Sequence, residues 1–114
     1  MTRYLISFDE GAMTHADEDQ QDVADAAHAV VKEAQDAGVW VFGGGLFDHE
    51  EMSVVAVDGT ADGAPQGKLA YVGGMSIIDV PSREAALDWA ARIAAACRCT
   101  QEVREFMPDP AVGN

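Results

Sequence analysis

Basic residues are scarce in this chain: seven Lys and Arg stand against twenty Asp and Glu, a formal net charge of −13. A surface so negative repels phosphate backbones and anionic lipid, so neither nucleic acid nor a bare membrane is expected as a partner. Cysteine is almost absent. Cys97 and Cys99 are spaced C-x-C; on a strand they face opposite sides, which argues against an internal disulfide, and without a second pair they make no metal-binding set. No metal and no cofactor is therefore expected. Long apolar runs are missing too, none approaching a membrane span. Met1 leads straight into strand-like Arg3-Tyr4-Leu5-Ile6 without a secretory leader, and the cytoplasm is the expected location. Gly43-Gly44-Gly45 lacks the Lys and Ser/Thr of a phosphate-binding loop, and there is no G-x-S-x-G elbow, which removes nucleotide binding and serine-nucleophile chemistry.

What is present fits one domain. The 114 residues are 48% hydrophobic and 24% charged, enough for a single soluble core spanning 1–114. The acidity is uneven: residues 1–62 hold fourteen acidic and two basic side chains, residues 63–114 six and five.

The hydrophobic pattern yields the elements. Residues 3–8 read as a strand ending at Asp9-Glu10-Gly11. A helix follows to about residue 37, capped by Thr14 or by Asp17 with Gln20 three positions on. Its stripe is Val23, Ala26, Ala27, Val30, Val31 and Ala34, and Gly38 is its left-handed stop. Strands are expected at 39–42, broken or bent by the three glycines, at 53–57, and at 71–80, where Gly73-Gly74 admits a close approach of backbone or ligand. Ser82 caps a second helix with Leu87, Ala90, Ala91 and Ala94 as its stripe, widened by Trp89 and Ile93. A last strand covers 100–107.

The order β-α-β-β-β-α-β implies an α+β, ferredoxin-like antiparallel sheet with two helices on one face. The other face is then bare. Trp40, Phe42, Val54, Ala56, Met75 and Ile77 supply more apolar strand residues than one covered face requires, so a homodimer packed sheet to sheet is expected.

Candidate chemistry rests on few groups. His28 lies beside the apolar stripe of the first helix, within reach of the sheet and a neighbouring carboxylate, and is the candidate general acid/base. His15 sits in the first loop, and His49 lies in an Asp48-His49-Glu50-Glu51 run, both read as surface residues because adjacent side chains rarely converge on one ion. Asp62, Lys68 and Tyr71 edge a Gly-rich connection and, with Trp40, are the candidate contacts for a small polar organic ligand.

Arg3-Tyr4-Leu5-Ile6, Ala37-Gly38-Val39, Gly43-Gly44-Gly45-Leu46 and above all Gly73-Gly74-Met75-Ser76-Ile77-Ile78-Asp79-Val80, followed by Ser82, Glu84-Ala85-Ala86 and Trp89-Ala90-Ala91, resemble the YCII-related superfamily and its DGPF subgroup. The likeness runs over nearly the whole chain. The signature that names the subgroup is reduced here to Asp62-Gly63-Ala64-Pro65. The resemblance implies a dimeric α/β barrel and, in some YCII-like members, a His and Asp acid/base pair; His28 is the nearest histidine to that position. It also implies a rival role, an accessory module linked to transcriptional regulation that acts through its acidic surface rather than by catalysis.

Overall fold

The computed structural model describes residues 1–61 and 70–114. Strand β1 (Thr2–Asp9) leads through a short 3-10 turn into helix α1 (Gln20–Asp36), then β2 (Trp40–Gly45), β3 (Val72–Val80), helix α2 (Arg83–Cys97) and β4 (Glu102–Glu105). The strands form one antiparallel sheet in the order β2-β3-β1-β4. This α+β arrangement is compatible with a ferredoxin-like fold.

The local rules hold at most element ends. Gly38 stops α1 at φ +75°, a conformation that penalises side chains with a Cβ. Ser82 is extended, and its hydroxyl accepts the Ala85 N–H at 3.1 Å, starting α2. The other end of α2 closes on Arg98, whose φ of 57° makes it a left-handed stop without glycine; its guanidinium reaches Asp19 at 3.0 Å. Neither Thr14 nor Asp17 caps α1. Asp17 lies inside the 3-10 turn, and Asp19 precedes the helix without a side-chain cap.

Three expectations are corrected. Residues 53–57 form no strand: Val54 makes an isolated bridge, and Asp58-Gly59 turns the chain so that Ala56 N–H meets the Thr60 carbonyl at 2.7 Å. The three glycines do not break β2; they extend it, with Gly43 opposite Ser76, Gly44 opposite Met75 and Gly45 opposite Gly74. Cys97 and Cys99 are not on a strand. Cys97 is the buried last residue of α2 and Cys99 follows the left-handed turn, and both are free thiols.

Strand alternation sorts the two sheet faces. Tyr4 and Ile6 of β1, Ile78 and Val80 of β3 and Val103 of β4 turn toward the helices, where Ala34, Ala86 and Ala90 meet them. Ile6 and Ile78 are wholly buried. The buried residues of α2 are Ala86, Ala90, Ala96 and Cys97, flanked by Trp89 and Ile93; Leu87 of the expected stripe points outward at 43% exposure, while Ala90 keeps its expected place. Leu5, Met75, Ile77 and Phe42 occupy the opposite face, which no described element covers. No described helix is long and apolar enough to cross a membrane.

Candidate functional site

The helices are packed unevenly along the sheet. The C-terminal half of α1 and the N-terminal half of α2 close over Tyr4, Ile78 and Val80 through alanine contacts. At the other end, where β1 and β2 finish and β3 begins, they leave a cavity of about 490 Å³. Ala27, Val30 and Val31 of α1 form one wall, and Ile93 and Cys97 of α2 another. Half of the apolar stripe on α1 is therefore a cavity lining rather than core. Polar groups are few: Gln20, His28, Ser76 and Gln101.

Two aromatic rings shape the floor, each seated on a glycine. A Cβ at Gly74 would fall 2.6 Å from Cζ of Phe8, and a Cβ at Gly43 would fall 2.7 Å from the Trp40 ring. A bulge between Trp40 and Phe42 lets that ring fold back over the glycine of its own strand. The Gly73-Gly74 pair does permit a close approach, as its sequence suggests. What approaches is the Phe8 ring and the Glu10 backbone, the latter 2.9 Å from a Cβ built on Gly73.

Among the sequence candidates, the structure brings His28 and Trp40 to this one cavity. His28 is exposed at its rim, and no carboxylate hydrogen-bonds to it among the described residues. Asp62 and Lys68, with the Asp62-Gly63 remnant of the signature, lie outside the described residues. Tyr71 is not part of the cavity; it belongs to a second cluster nearby.

That cluster is built by three segments meeting at the same end of the sheet. Glu10, just past β1, donates its N–H to the Tyr71 carbonyl at 2.7 Å. Its carboxylate accepts the His49 N–H at 2.9 Å and faces His49 Nδ1 at 2.8 Å. The His49 ring stacks on Tyr71, with centroids 4.5 Å apart and planes 8° from parallel. Sequence reasoning placed His49 at the surface with only its neighbours for company. Its partner Glu10 is 39 positions away, and the only signal for the pairing is that β1 and β2, lying on either side of β3, end at the same edge of the sheet.

The hydrogen bond that His49 donates to Glu10 outweighs the loss of hydration and holds the His49 pKa above the usual histidine value, with the Glu10, Asp48 and Glu50 charges adding to it. A raised folded-state pKa makes the pair stabilising below the unfolded value of about 6.5, with the contribution lost as pH rises through the folded pKa. The stability difference between the wild-type chain and Glu10→Gln should thus be larger at about pH 5.5 than at about pH 8.5 in urea melts. A difference that stays constant or grows with pH would show that the pair does not titrate this way. Asp48 Oδ1 is also near, at 3.4 Å from Nδ1, but that nitrogen is already committed to Glu10, so the three groups make an ion-paired clasp rather than a ready metal-ligand set.

Elsewhere the titratable groups are structural. Burial and a hydrogen bond to Glu105 push the Tyr4 phenol up, and burial pushes both thiols up, leaving Cys97 unreactive at neutral pH although it lines the cavity. Compared with known proteins, the chain matches no family model and no curated sequence.

Proposed function

We propose that this chain binds a small organic ligand in the cavity between its helices and sheet. The observation that carries this reading is the open cleft itself: about 490 Å³ of mainly apolar space with His28 at its rim and a few polar side chains around it. A volume of this size lies within the usual range for small-molecule sites, as does an apolar lining with sparse polar groups. The ligand's apolar body rests on the Phe8 and Trp40 rings and its polar group turns to His28. His28 is the residue to which any proton transfer falls, without help from a carboxylate of the described chain.

The resemblance to YCII-related, DGPF-like proteins supports the same reading and adds a second copy, with a cytoplasmic setting. Leu5, Phe42, Met75 and Ile77 form an apolar face with no cover of its own, and Phe42 is 64% exposed. Packing two such faces together would bury them and close a dimeric α/β barrel. The accessory-module reading draws on a different surface, the acidic outer side of α1, where Asp22, Asp25, Glu33 and Asp36 are all exposed.

Native mass spectrometry tests ligand and dimer together. The expected spectrum is a dimer carrying a releasable organic mass, with Ile77→Asp appearing as a monomer and His28→Gln retaining less ligand. A bare monomer at micromolar concentration would remove both parts of the proposal. A bare dimer that takes up nothing from a small-molecule extract would remove the ligand and leave the accessory role.

A further inference from the structure

The Glu10–His49 clasp faces a space of its own. Leu46, Phe47, Met52, Tyr71 and Val72 surround a recess of about 310 Å³ beside the imidazole, separate from the cavity that holds His28. Its lining is mainly apolar, with Asp48 and Glu51 beside the imidazole, and it is open, Phe47 being 91% exposed. An ionised carboxylate only accepts hydrogen bonds, so the nitrogen facing Glu10 carries the hydrogen. In the neutral ring this fixes the tautomer: Nδ1 is the donor and Nε2 holds the free lone pair. Nε2 makes no hydrogen bond among the described residues. Stacking on Tyr71 and the second bond from the His49 backbone to Glu10 keep the ring from turning.

The surroundings restrict what this acceptor can receive. The charged groups bearing on the ring are Glu10 from the segment after β1 and Asp48 and Glu50 from its own turn, with Glu51 of that turn also lining the recess; all are negative, and the Tyr71 ring is stacked against His49. An anionic ligand is repelled, and an oxygen with no hydrogen has nothing to offer a lone pair. A flat apolar body suits the Phe47 and Met52 side chains at the edge.

We propose that Glu10, His49 and the adjoining recess form a second binding site, which takes an uncharged molecule with a phenolic or enolic hydroxyl on an apolar body. The hydroxyl donates to His49 Nε2, the body lies in the recess, and Glu10 holds the ring in the tautomer that can accept. Protonation of Nε2 removes the acceptor, so binding weakens as pH falls through the His49 pKa, and it is strongest above it.

The test is a titration of the full chain, labelled with ¹⁵N in its histidines, with 4-ethylphenol at a pH above the His49 transition, which the ¹⁵N shifts of the free chain locate, and below the phenol's own pKa of about 10, so that the ring is neutral and the probe uncharged. Before addition, His49 should show a protonated Nδ1 and an unprotonated Nε2. Addition should move the Nε2 resonance saturably while His28 stays still, and the effect should vanish at about pH 5. The methyl ether 4-ethylanisole, equally apolar but without the donor, should leave Nε2 unmoved, a control that needs no variant. Glu10→Gln should weaken the response several-fold, and His49→Gln should abolish it. The opposite tautomer in the free chain, an equal response to the ether, or a titration that moves His28 instead of His49 would each overturn the proposal. Of these outcomes only a shift at His28 bears on the larger cavity, and it would support binding there while removing the second site.

Discussion

Gly43→Ala should lower stability by about 3 kcal/mol, while Gly44→Ala, one residue along the same strand, should leave it unchanged or raise it slightly. A Cβ at position 43 would lie 2.6 Å from the Met75 carbonyl oxygen and 2.7 and 2.9 Å from two atoms of the Trp40 ring. The ring has room to move, toward the cavity, but the carbonyl belongs to the partner strand and can retreat only if β2 and β3 separate. Among the described residues β2 is an edge strand paired with β3 alone, so the strain falls on that ladder. At position 44 nothing lies within 4 Å, so alanine there meets no obstacle and reduces the freedom of the unfolded chain. Thermal melts of the two variants should differ by about 10 °C or more, given about 4 °C per kcal/mol for a chain of this size. Melts that coincide would mean the strand yields without cost and that the Trp40 seat is loose.

Ile78→Ala should cost about 2–5 kcal/mol, a large share of the roughly 5–15 kcal/mol that holds a domain of this size together. Ile78 is fully buried in β3, with Tyr4 opposite on β1 and Trp40 opposite on β2. The atoms removed leave a void bounded by two sheet neighbours and the alanines of the helices, which are too short to fill it. Ile77→Ala is the informative comparison, because the adjacent side chain points to the bare face. In an isolated chain that change should cost well under half as much as the change at 78. If the two substitutions destabilise equally in chemical denaturation at low concentration, face alternation along β3 is not as described. A deficit at Ile77 that grows with protein concentration would instead report the second copy.

The sequence carried the frame because the frame is built from local signals. Gly38 and Ser82 mark helix boundaries by their own conformational preferences, and β1, α1 and α2 have periodicity long enough to be read alone. The strand expected at 53–57 was misleading for the same reason. Val54-Val55 has strand-like composition, but Asp58-Gly59 and the Thr60 contacts fold the segment back on itself, and among the described residues it joins no ladder of the sheet. The stripe on α1 was legible as apolar, yet periodicity cannot distinguish a side chain packed in a core from one facing an empty space. That distinction depends on α2, whose buried face is mostly alanine and leaves the sheet uncovered at one end. His28 and Trp40 could be picked as cavity residues because helix face and strand position sufficed. The clasp could not, since Glu10 and His49 are joined only by the antiparallel run of β1, β3 and β2.

The glycine seats of Phe8 and Trp40 also make the cavity adjustable. Each ring rests where a side chain would otherwise begin, and Gly45 continues the same unoccupied strip on the helix side of β2. A methyl group at one of these positions would move an aromatic wall or fill part of the floor without touching His28. Chains built on this plan can thus change the size of molecule they accept in steps of one carbon, by substitutions at backbone positions of β2 and β3 that carry none of the cavity's polar side chains.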